Sequence, residues 1–414
     1  MNVRNSSLLI KAPLFLVIVL DAIGFGIVTP VLAPLIKQIH GSILGDHAGL
    51  MTRHLIYGGL IALYPISFII GAPILGSLSD KWGRKQILMI SLLGSLLGFV
   101  GHTLSFQLKS LILLIVGRIL TGLTAGSQGI AQAAMADIST NSRDKAINIG
   151  LIAIAMTLGL VLGPLLGGIL TDSELVAWFG LSVPFYCVTL LCIFNLILLF
   201  VGVQDTQVLQ QSTQTQLPNH FRPGWSIIAS TPTVISLLTV FLLFELGWTL
   251  YYQTLPIMFV YKMDASQLQV GLYLAYVGIM LCIGLFGLVR LSTRRFSLQW
   301  LVQISLFIGG LALIALLLLP LIAVQFILAI PITFAVALIY TGLITLLSNR
   351  LSNDRQGLLM GITDGLIALA FTITGLAAGY ITVFSLYLPF AIAGFIWLGA
   401  LAIVHTILKK QTSN

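Results

Sequence analysis

Apolar runs of about 20 residues recur along the whole chain, and each is long enough to cross the ~30 Å hydrocarbon core of a bilayer. A segment in hydrocarbon has to satisfy its own backbone N–H and C=O groups, so such runs are helices. Twelve are expected, over residues 12–37, 55–79, 85–105, 109–136, 146–170, 177–202, 230–261, 265–289, 297–319, 321–348, 356–382 and 385–408. A large soluble helical core is the alternative home for so many apolar residues. Composition argues against it: 8% of the 414 residues are charged, whereas soluble chains carry about a quarter. The first run is too long for a cleaved leader, contains Asp21 and lacks a small-residue cleavage site, so it is expected to remain as the first span.

Orientation follows from lysine and arginine. With the N-terminus in the cytoplasm, the inner side collects Arg4, Lys11, Lys81, Arg84, Lys85, Arg143, Lys145, Arg222, Arg290, Arg294, Arg295, Arg350, Arg355, Lys409 and Lys410. The outer side holds only Lys37, Arg53, Lys109 and Lys262, and Arg118 falls inside a span. This asymmetry is the positive-inside signature and puts both termini in the cytoplasm. It also accounts for the net charge of +8, so the basic balance does not point to nucleic acid. Cys187, Cys192 and Cys282 all lie within spans and read as small apolar packing residues, with neither a disulfide nor a metal site expected.

Residues 204–224, QDTQVLQQSTQTQLPNHFRPG, form the longest polar stretch and have no apolar period. They read as a cytoplasmic linker. The expected organisation is a six-helix bundle over 1–203, a linker over 204–228 and a second six-helix bundle over 229–414. A single shift of 211 residues carries Gly76 onto Gly287, Gly150 onto Gly361 and Gly168 onto Gly379, which argues for an internal duplication. In the second copy Leu291 stands where Asp80 would be. Duplicated halves are a transporter architecture, with the substrate site near the bilayer midplane.

Four stretches resemble the major facilitator superfamily, and within it the twelve-helix drug:proton antiporters that include the tetracycline efflux pumps. GSLSDKWGRK (76–85) is similar to the superfamily's motif between spans two and three at Gly76, Asp80, Gly83, Arg84 and Lys85. GRILTGLTAGSQGIAQAAMADIS (117–139) resembles the span-four motif with its intramembrane Arg118. GLVLGPLLGG (159–168) resembles the span-five antiporter motif, and LDAIGFGIVTPVLAPL (20–35) the first span of the tetracycline-pump branch. The resemblance covers essentially the whole chain, although the specific motifs lie in its first half. It implies an all-α integral membrane protein with twelve transmembrane helices in two pseudo-symmetric six-helix bundles. It also implies a monomer of the cell (inner) membrane, driven by the proton gradient without a cofactor.

The residues themselves allow a physical reading beside the resemblance. Gly159, Gly163 and Gly167 recur every four residues, so a neighbouring helix can approach that face, with Gly168 beside it and Pro164 removing a backbone donor. The stretch reads either as a pliable, tightly packed hinge that discourages leak or as ordinary close packing. Arg118 is costly in a membrane and needs interior partners. It reads either as an electrostatic element of proton coupling or as a structural charge on the carbonyls of a neighbouring helix. Gly122 and Gly126 follow it at four-residue spacing and are expected to pack closely.

Three acids lie inside spans, Asp21, Glu245 and Asp364, and are candidates for proton coupling together with Arg118. Burial penalises the charged form of a carboxyl and so favours proton exchange. Asp364, nearer the cytoplasmic end, reads equally as a capping or loop-pairing residue. Glu245, Trp248 and Tyr252 share a helix face suited to a cationic, lipophilic guest, or to simple aromatic packing. Gln128, Gln132 and Gln253 are further polar candidates for the substrate cavity. His40, His47 and His54 read as a solvated outer loop. The resemblance implies a conformational latch built from Gly76, Asp80, Gly83, Arg84, Lys85 and Asp137, with Arg84 pairing Asp137 and Asp80 approaching the N-terminus of span eleven. Gly76 would permit close helix contact and Gly83 the tight turn.

The expected function is secondary active transport. Proton-coupled efflux of small amphipathic or drug-like molecules by alternating access is preferred, and proton-coupled uptake of a nutrient, metabolite or siderophore is the alternative. The chain contains no GxxxxGK[ST], which argues against an ATP-driven pump, and no catalytic constellation, which argues against an enzyme.

Overall fold

The structure, a computed structural model, describes residues 3–37, 43–44, 48–139, 142–203, 232–318, 322–351 and 356–412. Among them lie twelve helical segments long and apolar enough to cross a membrane. In chain order the helices are α1 (Val3–Gly26), α2 (Val28–Lys37), α3 (Leu50–Trp82), α4 (Arg84–Gln107), α5 (Leu111–Thr124), α6 (Ser127–Asp137), α7 (Ser142–Ile169) and α8 (Val183–Gly202). They continue as α9 (Pro232–Lys262), α10 (Gln267–Ile283), a π turn at Gly284–Leu288, α11 (Val289–Ser292), α12 (Leu298–Leu318), α13 (Ile322–Ser348), α14 (Gln356–Phe384) and α15 (Leu388–Thr412). The expected linker, 204–228, lies outside the described residues.

Two spans are broken, and the sequence reading took both as continuous. Span one is α1 followed by α2, interrupted at Ile27. Pro30, in the first turn of α2, has no N–H for the Gly26 carbonyl four residues back, and its ring crowds that turn. Span four is α5 followed by α6, interrupted at Ala125 and Gly126. There the Ala125 N–H is shared between the Thr121 and Gly122 carbonyls, and the Gln128 N–H reaches the Ala125 carbonyl at 3.3 Å, so the last turn of α5 is tightened.

Other boundaries also differ. Span two starts at Leu50 rather than residue 55 and runs to Trp82, which takes Arg53, His54 and Asp80 into the helix. His54 is therefore buried, with its ring 5.6 Å from that of Tyr261, and is not a solvated loop residue. His40 and His47 lie outside the described residues. Span six starts at Val183, where Pro184 occupies the first helical turn, so the residues expected to begin it form turns instead.

Contacts divide the chain into two compact units, Met1–Thr215 with Phe259–Ala275, and Gln216–Met258 with Tyr276–Asn414. In the first, α1 packs on α7 and α8, α3 on α5, and α4 on α5 and α8. Small residues set these distances. A methyl group built on Gly98 would lie 3.0 Å from the Gly117 carbonyl oxygen, and one on Gly122 2.5 Å from the Tyr64 carbonyl oxygen. The Ser95 and Thr124 hydroxyls bond across α4 and α5 at 2.8 Å. Segment Phe259–Ala275 joins this unit through Gly271, whose Cα faces Gly168 at the end of α7.

In the second unit α12 packs on α13 and α15. Its largest fully buried side chain, Trp397 of α15, sits where Gly247 of α9 and Gly309 of α12 leave room. The indole N–H donates to the Phe244 carbonyl at 2.9 Å, so the ring's polar atom is satisfied inside an apolar core.

Candidate functional site

The break in span four meets an acid of span one. Asp21 lies in α1, buried at 7% exposure, and accepts a hydrogen bond from Ser127 Oγ at 2.5 Å. Ser127 is the first residue of α6, and the backbone N–H of Gln128 also faces the carboxylate. The break in span four thus creates a helix N-terminus within the bundle, with its positive dipole end beside Asp21. The serine hydroxyl donates to an ionised Asp21 and accepts from a protonated one, so the pair accommodates both charge states.

Arg118 is 2% exposed and bonds the backbone of span two. Its Nε donates to the Leu60 carbonyl at 3.0 Å and its Nη2 to the Ile61 carbonyl at 3.3 Å. Pro65, four residues after Ile61, supplies no N–H, so the guanidinium takes a carbonyl that the helix ladder leaves open. The guanidinium also lies 5.1 Å from the Tyr64 ring centroid, and the Tyr64 ring is 5.5 Å from that of Phe25, one turn after Asp21 on α1. Tyr64 is in electrostatic range of both Asp21 and Arg118. The structure therefore joins two charges from spans one and four through an aromatic pair that sequence reading did not single out.

Arg118 Nη1 has no hydrogen-bond partner among the described residues, and fully buried His102 has the Gly98 backbone as its polar neighbour. His102 stacks on Phe185 at 4.9 Å and lies against Gly117, which precedes Arg118.

The glycine face of α7 is laid along span one. Methyl groups built on Gly163 and Gly167 would lie 3.0 Å from the Ile23 carbonyl oxygen and 2.6 Å from the Ile27 carbonyl oxygen, and one on Gly159 would strike Ala22. Pro164 meets Gly26, where its Cδ would lie 2.8 Å from an added methyl, and Gly168 meets Gly271. Helix α7 runs unbroken through Pro164, so no interruption accompanies that residue.

GSLSDKWGRK folds as a helix end and a helix start with one residue between them. Gly83, at φ 95°, closes α3 by donating its N–H to the Ser79 carbonyl and immediately precedes α4. That backbone conformation favours glycine. Arg84 pairs Asp80 at 2.9 Å and Asp137 at 3.4 Å, and donates to Ser79 Oγ at 2.8 Å. Asp80 thus lies in the last turn of α3 rather than in a loop. Lys85 donates to the Phe200 carbonyl at 3.0 Å and so satisfies the C-terminal turn of α8. Gly76 makes no close approach: a methyl group there would meet nothing within 4 Å.

In the second unit Glu245, Trp248 and Tyr252 are all buried, and the rings of Trp248 and Tyr252 are 5.7 Å apart. Tyr340 of α13, also missed by sequence reading, packs 6.0 Å from Phe241 and is in electrostatic range of both Glu245 and Asp364. Asp364 itself is exposed and lies two turns inside α14, too deep to cap it. Gln253 is clamped: its Nε2 donates to Thr374 Oγ1 at 2.8 Å and to the Phe371 carbonyl at 3.2 Å, and Thr374 Oγ1 reaches Thr249 Oγ1 at 2.9 Å. This chain stitches α9 to α14 and occupies the amide that was expected to face a cavity. Gln132 is half-buried, with its amide 3.8 Å from Met156 Sδ.

A model of the Major Facilitator Superfamily matches residues 14–371. The chain belongs to the major facilitator superfamily. It is 30% identical to the class C tetracycline resistance protein of Escherichia coli over 373 residues, 86% of this chain and 85% of that one. It is 31% identical to the class H tetracycline resistance protein of Pasteurella multocida over 67% of this chain; that match spans 64% of the relative's length. A solved D-xylose–proton symporter shares the fold, with a TM-score of 0.73 at 17% identity over 95% of this chain and 96% of that one. In this member of the superfamily, the motifs of spans one, four and five thus converge in one unit around Asp21.

Proposed function

We propose that this superfamily member exports small amphipathic, drug-like molecules in exchange for protons. In this reading it sits in the cell (inner) membrane as a monomer with both termini cytoplasmic, uses no cofactor beyond the proton gradient, and transports rather than catalyses. The observation that carries the reading is the Asp21–Ser127 contact at the break in span four, with Arg118 close by across the Phe25–Tyr64 pair. Asp21 gains and loses the proton. Ser127 and the start of α6 hold its ionised form, and loss of that charge on protonation loosens the hold of span one on span four. Arg118 fixes the local field and ties span four to span two.

Alternating exposure of Asp21 to the two membrane faces then links proton entry to substrate exit. In the second unit, Glu245, Trp248 and Tyr252 offer an amphipathic guest a carboxylate and aromatic faces; in the first, Gln128 and Gln132 offer amides. Arg84, Asp80 and Asp137 hold the end of α3 against α6 in one state of the cycle. The likeness to two tetracycline resistance proteins favours export over uptake.

The test is tetracycline accumulation in everted vesicles energised by respiration. Uptake into the vesicles that collapses with an uncoupler supports the reading. Transport of drug-like substrates that is indifferent to the gradient, or gradient-driven entry into intact cells, refutes it.

A further inference from the structure

Span eight ends in a feature that the transport reading does not use. At Gly284–Leu288 the helix takes a π turn, a geometry that recurs at functional positions. Gly284 brings this turn against span ten, where an added methyl would lie 2.9 Å from the Ala337 side chain. Beside it opens a groove of about 480 Å³. Its floor includes Ile283, Phe286, Leu291 and Phe334, and Arg290 and Arg294, four residues apart, stand along it. Both arginines are exposed, and neither has a carboxylate partner among the described residues. Ile283, Phe286 and Leu291 are about half exposed, as suits side chains facing acyl chains. Exposed Phe296 and Trp300 stack at 4.7 Å just beyond the arginines, and an exposed tryptophan is a side chain enriched at membrane–water interfaces.

We propose that this groove is a binding site for one anionic phospholipid. Its phosphate lies between Arg290 and Arg294, and an acyl chain runs over Phe286 and Ile283 towards Phe334. Two cations at headgroup depth above an apolar floor fit a molecule that is anionic at one end and hydrocarbon at the other. A free phosphate would leave the floor uncovered, and a zwitterionic lipid would repay the two charges poorly. The site is independent of what the protein transports, so it stands or falls apart from the exporter reading.

The test is native mass spectrometry of the full chain, released from micelles containing equal amounts of phosphatidylglycerol and phosphatidylcholine. The wild type should retain phosphatidylglycerol preferentially. Arg290→Gln and Arg294→Gln should each lower that preference by about fivefold, and the double Arg290→Lys, Arg294→Lys variant should keep most of it. Arg295→Gln, which removes the neighbouring exposed charge outside the groove, should leave it unchanged. Unaltered phosphatidylcholine retention and an unaltered Tm show that the variants are folded. The proposal is overturned if Arg290→Gln and Arg294→Gln both keep the wild-type preference or if Arg295→Gln loses as much. Displacement of the lipid by millimolar inorganic phosphate would also overturn it, in favour of a simple anion site.

Discussion

Among the described residues, the Asp21 carboxylate has one side-chain donor, Ser127, with the α6 N-terminus behind it. Asp21→Asn keeps the volume and removes the titration, so gradient-driven export in vesicles should fall to background while the protein remains in the membrane at wild-type levels. Normal coupled export by this variant would retire Asp21 from coupling. Ser127→Ala deletes one hydrogen bond to a charged group, worth about 1.5–3 kcal/mol. The initial export rate should then drop by roughly ten- to a hundredfold, with Ser127→Thr restoring most of it. Asp21 and Arg118 were legible in the sequence because a charge inside an apolar run has few structural uses. Ser127 and Tyr64 were not. Serine and tyrosine are common in membrane helices, and what sets Ser127 apart is its place as the first residue after a break. That break carries no proline. Its only trace in the sequence is the density of weak helix formers, Gly122, Gly126 and Gly129, around it.

At the scale of the element, the span-five glycine face is a molded surface for span one. Backbone atoms stand on the far side of Gly163, the Ile23 carbonyl and the Gly26 Cα, and neither can swing aside as a flexible side chain would. Gly163→Ala should therefore cost about 1–3 kcal/mol through overpacking and lower the Tm in detergent, with transport falling alongside. Gly150→Ala on the same helix meets nothing within 4 Å and should be silent in both assays. Equal effects from the two would show that helix propensity, not the span-one contact, governs the face. The four-residue glycine period made this surface visible in the sequence, but not its partner. Gly76 shows the limit of the same reasoning: a motif glycine read as a close contact turns out to face open space, and the glycine that shapes the motif is Gly83, through its positive φ.

For the whole molecule, the number of spans was legible because bilayer thickness fixes their length, whereas helix ends that project past the hydrocarbon were not. Leu50–Leu55 and Asp80–Trp82 lengthen span two at both ends, and no hydropathy window registers such extensions. The lysine and arginine asymmetry makes a checkable statement about topology. With the native cysteines replaced, Lys81→Cys should react with an impermeant thiol reagent only in everted vesicles, and Lys109→Cys only in intact cells; the reverse pattern would invert the chain in the membrane. The Arg118 clamp has a consequence for biogenesis as well. Span four is the least apolar of the twelve, and its guanidinium closes a hydrogen-bond ladder that Pro65 leaves open in span two. Each of the two segments completes the other, so span four should leave the translocon efficiently only when span two is already waiting beside it. Glycosylation mapping of chains ending after Met135 should show span four fully inserted in the wild type and poorly inserted once span two is exchanged for a polyleucine helix without Pro65.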